Sequence, residues 1–208
     1  MGEKQTKKSE LTRSKILEAA EAEFSEKGLF GARIDNIAQI SGVNKRMIYE
    51  HFDSKEFLYE TTLLSVYERL AECERQFVIC DLEPTLAIRN IIYVYFRFLE
   101  ENPNFVRMLM WENLNGGRFL DERHRDTKSP ALDYIRTLLK RGVKSGVFRE
   151  DVDEHQIVVS IMNFGFSYFS NMYTLSAILE REMKNHEEIM RRADFVSNII
   201  IKFITKTN

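Results

Sequence analysis

The sequence predicts an all-α protein with about nine helices, and three observations carry this prediction. Glycine and proline together account for only 12 of the 208 residues, which is too few for a turn-rich β architecture. Apolar residues recur at helical spacing through most of the chain. Finally, Pro84, Pro103 and Pro130 each follow a residue suited to helix capping, as expected at the first turn of a helix.

Glycine-containing turns and prolines mark several boundaries between the predicted helices. The first three are short and are separated by turns that contain Gly28, Gly31 and Gly42, the fifth and sixth begin at prolines, and apolar periodicity defines the others. The predicted segments are 12–27, 34–41, 44–52, 54–79, 84–101, 103–113, 126–145, 155–180 and 186–206. We therefore expect a small N-terminal domain, residues 1–56, and a larger helical domain, residues 57–208.

The composition predicts a folded, cytoplasmic protein. Apolar residues make up 44% and charged residues 30% of the chain, and the net charge is −2, which excludes a disordered polyelectrolyte. Cys73 and Cys80 are too few for a disulfide framework, and the polar first ten residues predict no signal peptide. The charge-free run 156–179 contains eight uncharged polar residues, which favours a buried helix over a membrane span.

Residues 34–49 have the spacing of a helix-turn-helix motif. Ile37 and Ala38 supply a packing residue and a small residue in the first helix, Gly42 permits a left-handed turn, and Ile48 packs the second helix against the first. The outer face of the second helix is then free to enter a major groove. Its outward positions are Asn44, Lys45, Arg46, Met47 and Tyr49.

The local charge of this motif suits a nucleic acid. Residues 43–49 carry Lys45 and Arg46 with no acid, and residues 1–15 carry a surplus of three positive charges. Release of counterions from phosphates needs only such a local surplus, so a slightly acidic chain can still bind DNA. An ordinary αα-corner has the same helix-glycine-helix spacing, and the basic second helix favours the DNA-binding interpretation over it.

Residues 28–56 closely resemble the DNA-binding signature of the tetracycline repressor (TetR) family. The matching positions are Ile37-Ala38, Gly42-Val43, Ile48-Tyr49, Phe52 and Ser54-Lys55-Glu56. The resemblance implies an all-helical homodimer in which three N-terminal helices bind a palindromic operator in double-stranded DNA. It also implies repression of transcription, no metal or other cofactor, and a C-terminal domain that binds a small-molecule inducer.

The resemblance further implies roles for single residues. Tyr49 and Lys55 would hold phosphates, and Lys45, Arg46 and Met47 would face bases, where arginine fits O6 and N7 of guanine. Threonines usually open the second helix in the family, but Ala32 and Arg33 stand there in this chain. Arg33 would supply charge to a phosphate, but the capping role is left open, as is a phosphate contact of His51. The candidate DNA-binding residues are Arg33, Asn44, Lys45, Arg46, Met47, Tyr49, His51 and Lys55.

The C-terminal body is rich in aromatic and methionine side chains, most of which we expect in the core. In the family, a helix at the place of residues 102–113 often lines the inducer pocket. A pocket of aromatic side chains, methionine and a few amides would suit a small apolar or aromatic effector. The candidate ligand-binding residues are Tyr67, Phe96, Met108, Trp111, Asn163 and Phe166.

The last two helices predict a dimer interface. Apolar residues in 186–206 are spaced alternately by four and three, the pattern of a helix packed lengthwise on another. Residues 155–180 carry two apolar stripes, which indicates burial on two sides. One interpretation is an internal core helix. We favour a second, in which one of the two stripes faces a partner subunit, and the sequence leaves open which stripe that is. The candidate dimer residues are Val158, Met162, Gly165, Phe169, Ile189, Val196, Ile200 and Phe203.

Two other functional classes fit the sequence less well. The four histidines are scattered, and the sequence contains no CxxC or HxxxH pair, no glycine-rich phosphate loop after a strand and no GxSxG motif, which argues against an enzyme. A protein-binding adaptor with a vestigial motif is disfavoured because Lys45, Arg46, Tyr49 and Lys55 occur together. A constitutive DNA-binding protein without an inducer is the alternative to a ligand-controlled one.

Overall fold

The structure is a computed structural model that describes residues 2–76, 82–120 and 130–206. The described residues form nine helices and no β-sheet, with one isolated bridge between Phe148 and Thr205. The all-α prediction is therefore confirmed. The helices are α1 (Gly2–Gly31), α2 (Ile34–Ser41), α3 (Lys45–Phe52), α4 (Lys55–Arg75), α5 (Pro84–Glu101), α6 (Pro103–Leu114), α7 (Pro130–Lys144), α8 (Glu154–Leu179) and α9 (His186–Ile204).

Most bounds lie within two residues of the prediction, and α1 differs most. It begins ten residues earlier than predicted and continues beyond Gly28, where the backbone leaves the helical region with φ 63° and ψ −179°. The predicted ends 77–79 of the fourth helix and 126–129 of the seventh lie outside the described residues, as does Cys80.

The chain divides into two compact units. The first comprises Met1–Glu68 and Arg107–Asp126, and the second comprises Arg69–Val106 and Thr127–Asn208. Helices α4 and α6 each contribute residues to both units. The first unit thus includes the later part of α6, whereas the predicted N-terminal domain ends at residue 56. The domain boundary at residue 56 stays a prediction.

The core of the first unit is built on one face of α1. Ile16, Ala20 and Phe24 recur every four residues and are fully buried, as an amphipathic helix requires. The ring of Phe24 meets that of Tyr59 edge to face, with centroids 5.1 Å apart. Helices α2 and α3 add further fully buried side chains, namely Ile37, Ile48 and Phe52.

In the second unit α5 packs against α7, α8 and α9. The ring of Phe96 of α5 packs against those of Tyr168 and Phe169 of α8, with centroids 6.3 and 6.1 Å away. Gly165 allows the close approach of the two helices, because a Cβ there would lie 2.6 Å from a ring carbon of Tyr95. No described helix, α8 included, combines the length and hydropathy that crossing a bilayer requires.

The predicted dimer residues need correction in part. Ile189, Val196 and Ile200 are buried within the single chain, as are Gly165 and Phe169. Up to Ile200, the alternating stripe on α9 is therefore covered by helices of the same unit, chiefly α5. Among the remaining candidates Val158 is half-buried, and Met162 and Phe203 are exposed.

Candidate DNA-binding site

The turn between α2 and α3 is fixed by local hydrogen bonds. Gly42 has the left-handed conformation expected of it, with φ 66° and ψ 19°. The hydroxyl of Ser41 donates to the carbonyl of Ile37 at 2.7 Å and accepts from the amide of Val43 at 3.3 Å. Asn44 then caps α3, since its side-chain oxygen accepts from the amide of Met47 at 2.9 Å. These bonds give the recognition helix a defined start.

Helix α3 presents one polar, basic face to solvent. Lys45, Arg46, Met47 and Tyr49 are exposed, whereas Ile48 and Phe52 are buried. The structure therefore brings the predicted base-facing residues and Tyr49 together on one accessible helix. An exposed helix with this composition is suited to insertion into a major groove.

Both cations of α3 are paired with carboxylates. Lys45 Nζ lies 2.9 Å from Asp35 Oδ1 of α2, and Arg46 Nε lies 2.9 Å from Glu50 Oε1 one turn further on. The hydrogen bond and charge of Asp35 raise the pKa of Lys45, which keeps it protonated. Because exposed pairs of this kind contribute little to stability, DNA phosphates and bases can replace them readily.

The start of α2 is stabilised by an acid from α1. Arg33 is the N-cap but contributes no side-chain cap. The buried Glu23 carboxylate instead accepts from the Arg33 amide at 3.0 Å, from the Asn36 amide group at 3.1 Å and from Lys27 at 3.3 Å. Burial alone raises the pKa of Glu23, but the hydrogen bonds from Arg33, Asn36 and Lys27 outweigh it, so the pKa is lowered. Glu23 therefore fills the role left open by the missing threonine.

Glu23 lies outside the helix-turn-helix motif and is not among the predicted site residues. It lies at helical spacing with the buried Ala19 and Ala20 and next to Phe24. An acid on the apolar face of a helix was thus the one available signal, because a buried carboxylate requires hydrogen-bond donors.

The remaining candidates lie at the edges of the motif. The side chain of Arg33 is exposed. His51 is half-buried, with its ring centroid 6.2 Å from that of Phe52. Lys55 is half-buried at the first position of α4, whose start is capped by the Ser54 hydroxyl, 3.0 Å from the amide of Phe57.

A contact between α6 and α1 lies close to the motif. The indole Nε1 of Trp111 donates to the carbonyl of Ser25 at 3.2 Å. Its ring rests on Gly28, where a Cβ would lie 2.7 Å from the ring carbon Cδ2. Gly28 is thus required both by its left-handed φ and by the space that Trp111 fills. Five residues separate Gly28 from the first residue of α2.

Glu112, next to Trp111, is buried and paired. Its carboxylate accepts from the hydroxyl of Tyr59 at 3.3 Å and from the amide of Phe119 at 2.6 Å. Burial, followed by the charge of Glu112, raises the pKa of Tyr67 to about 12, and the same two causes raise the pKa of Tyr59. Tyr67, a candidate ligand residue, is therefore neutral near pH 7.

An open cleft of about 350 Å³ lies between α1 and α6 in the first unit. Its lining residues are Ser25, Glu26, Arg107, Met110, Trp111 and Leu114. Trp111 is the one predicted ligand residue among them. Met108 and Phe96 are fully buried and do not line this cleft, so their role as ligand contacts stays a prediction. Asn163 is exposed and Phe166 half-buried in the second unit.

The fold and the exposed basic face of α3 define a helix-turn-helix DNA-binding protein. Among the described residues, no group of three or more His, Cys, Asp or Glu side chains could hold a metal ion. The model of the tetR family of bacterial regulatory proteins matches residues 16–62, and the model of the tetracyclin repressor-like C-terminal domain matches residues 84–200, more than half of the chain. The chain therefore belongs to the TetR family, whose members are DNA-binding transcription regulators rather than enzymes.

Named relatives agree with this assignment. The chain is 28% identical over 193 residues to the HTH-type transcriptional repressor NicS of Pseudomonas putida, which covers 92% of this chain and 91% of the relative. It is also 28% identical to the HTH-type transcriptional regulator RutR of Escherichia coli K12, covering 91% of this chain and 88% of the relative. A TetR transcriptional regulator from Chloroflexus aurantiacus has the same fold, with a TM-score of 0.74, 21% identity and coverage of 97% of this chain and 100% of that one.

Proposed function

We propose that the protein represses transcription in the cytoplasm by binding a palindromic operator as a homodimer, and that a small apolar or aromatic effector releases it. The exposed α3, with its capped start and its basic face, is the observation that carries the DNA-binding part. Lys45, Arg46 and Met47 would face bases, and Tyr49, Lys55 and Arg33 would hold phosphates.

Selection of bound sequences from random DNA, followed by gel shifts on the selected site, tests this part. Wild-type protein is expected to select one palindrome and to bind it with a steep dependence on salt. A triple variant that removes Lys45, Arg46 and Tyr49 should lose the selected site but keep its helical circular dichroism. Selection of no common sequence would favour the protein-binding adaptor instead.

The homodimer is supported by apolar side chains that the chain leaves exposed on α8 and α9. They include Val159, Met162, Phe195, Ile199 and Phe203. Phe195, Ile199 and Phe203 recur every four residues, so they form a stripe on α9 beside the buried one. Exposed apolar stripes of this kind are typical of protein interfaces, and a second copy would place two recognition helices on the two halves of a palindrome.

Effector control is supported by the position of the cleft at Trp111. The Trp111 ring contacts Gly28 in the segment that leads into α2, so an occupant that shifts this ring changes the support of the recognition motif. An effector can weaken operator binding only if it prefers the conformation that binds DNA less well. Screening apolar and aromatic compounds for a change in operator affinity tests this part. Operator affinity that no compound changes would leave a constitutive DNA-binding protein.

A further inference from the structure

The cleft between α1 and α6 holds two opposite charges without partners. Arg107 of α6 and Glu26 of α1 are both exposed and both line it. Neither forms a salt bridge or a side-chain hydrogen bond with any other described residue. By contrast, the neighbouring Lys27 is paired with Glu23. A cation and an anion are therefore both available to an occupant.

The wall of the cleft is apolar and partly preformed. Arg107, Met110, Trp111 and Leu114 are spaced by three, one and three residues and so share one face of α6. Met110 and Leu114 are exposed, and aromatic and thioether groups of this kind bind flat rings. The hydrogen bond from Trp111 to Ser25 holds the indole in place before any ligand arrives, which lowers the entropic cost of binding.

We propose that this cleft binds a small aromatic zwitterion. Its carboxylate would pair with the planar guanidinium of Arg107, its ammonium group with the carboxylate of Glu26, and its ring would pack on Trp111. The volume of about 350 Å³ lies at the small end of the range for small-molecule sites, about 300–1,000 Å³. A ligand with one charge would leave the other charged side chain unpaired.

Occupancy of the cleft would act on the recognition motif, a consequence that rests on the proposed function. Trp111 holds the carbonyl of Ser25 and covers Gly28, and the carbonyl of Gly28 accepts from the amide of Ala32 directly before α2. A ring packed on Trp111 would shift the preferred position of the indole and, through it, the backbone of Ser25 and Gly28 that the indole contacts. By linkage, ligand and operator then lower each other's affinity by the same factor.

The binding test uses the emission of Trp111, the only tryptophan in the chain, excited where phenylalanine does not absorb. The probes are L-phenylalanine, 3-phenylpropionate, which lacks the amine, and 2-phenylethylamine, which lacks the carboxylate. We expect phenylalanine to change the emission at the lowest concentration. Each singly charged probe should bind about threefold to fivefold more weakly, the magnitude of one exposed ion pair.

Two variants assign the charges. Arg107→Gln should remove the advantage of phenylalanine over 2-phenylethylamine, and Glu26→Gln should remove its advantage over 3-phenylpropionate. A merely structural role would weaken all three probes alike. Lys7→Gln and Glu10→Gln are matched controls, since both side chains are exposed at the opposite end of α1, and they should leave the binding of all three probes unchanged.

Three results would overturn the proposal: equal binding of the three probes, equal loss of all three in both variants, or unchanged Trp111 emission at about 10 mM phenylalanine, ten times the concentration that marks millimolar affinity. Operator binding without ligand is measured on the same preparation. If the operator binds and no probe does, the zwitterion site fails alone. If phenylalanine binds and no DNA sequence does, the site stands and the proposed function fails.

Discussion

Replacing Gly28 by alanine should destabilise the first unit strongly, for two reasons that can be separated. Its φ of 63° with ψ of −179° lies in a region that only glycine adopts readily, at a cost of about 1–3 kcal/mol for other residues. The new methyl group would also lie 2.7 Å from Cδ2 of Trp111, and overpacking of this kind costs about 1–3 kcal/mol. We therefore expect Gly28→Ala to lower the free energy of unfolding by about 2–6 kcal/mol.

Gly42→Ala is the matched control. Gly42 also has a positive φ of 66°, but its ψ of 19° lies in the ordinary left-handed region and nothing lies within 4 Å of an added Cβ. Its cost should be about 1 kcal/mol. Urea unfolding followed by circular dichroism at 222 nm measures both variants, and the slope m should stay constant if only stability changes.

The double variant Gly28→Ala/Trp111→Ala isolates the contact with the indole. If the ring causes part of the loss, the alanine at position 28 should cost less in the Trp111→Ala background than in the wild type, by the overpacking part alone. Two results would refute the contact between Gly28 and the Trp111 ring as a cause of the destabilisation. One is an equal loss of unfolding free energy in Gly28→Ala and Gly42→Ala, and the other is an unchanged loss for Gly28→Ala in the Trp111→Ala background.

Three further predictions concern DNA binding, pH and assembly. Arg46→Ala should cost about 1–3 kcal/mol in operator affinity and relax the preference at one base, whereas Lys55→Ala should weaken binding to all DNA sequences alike and reduce the salt slope by about one. Gel shifts on matched and mismatched sites measure both effects, and an equal loss of specificity in the two variants would contradict the assignment of Arg46 to bases and Lys55 to phosphates. The lowered pKa of Glu23 means that its stabilisation is complete above the pKa of the unfolded chain and is lost as pH falls through the folded value. As the pH falls below 4.5, the ordinary pKa of a glutamate, wild type should therefore lose more stability than Glu23→Gln, and parallel pH profiles would count against the cap. Because Ile199 belongs to the exposed apolar stripe on α9, Ile199→Glu should yield a monomer in sedimentation. Lys202→Glu, which changes an exposed residue of the same helix, should not. A monomeric wild type at micromolar concentration would rule out the dimer.

The predicted site and the structure agree where the signal is local. Glycine in the turn, Ile48 at the packing position and exposed cations around it follow from the spacing of α2 and α3, because neighbours on a short helix are set by sequence separation alone. Asn44 was placed on the outward face, and the structure uses its oxygen to cap α3. The sequence could not separate these two roles, since both require a polar residue at the same position.

The apolar stripe of α9 shows a different limit. Spacing identified Val196 and Ile200 as packing residues, and they are buried. It could not name the surface that covers them, because a helix in its own chain and a helix of a second subunit require the same periodicity. The covering helix is α5, which moves the candidate dimer face to the neighbouring stripe that contains Phe195 and Ile199.

The helical class, the order of the helices and the recognition motif can be predicted from the sequence, because periodicity and turn chemistry act between residues a few positions apart. The contacts by which Glu23 stabilises the start of α2 and Trp111 rests on Gly28, 83 residues away in the chain, are visible in the folded chain alone. Such contacts depend on how separate helices pack, and the same spacing of apolar residues in the sequence is compatible with many packing partners.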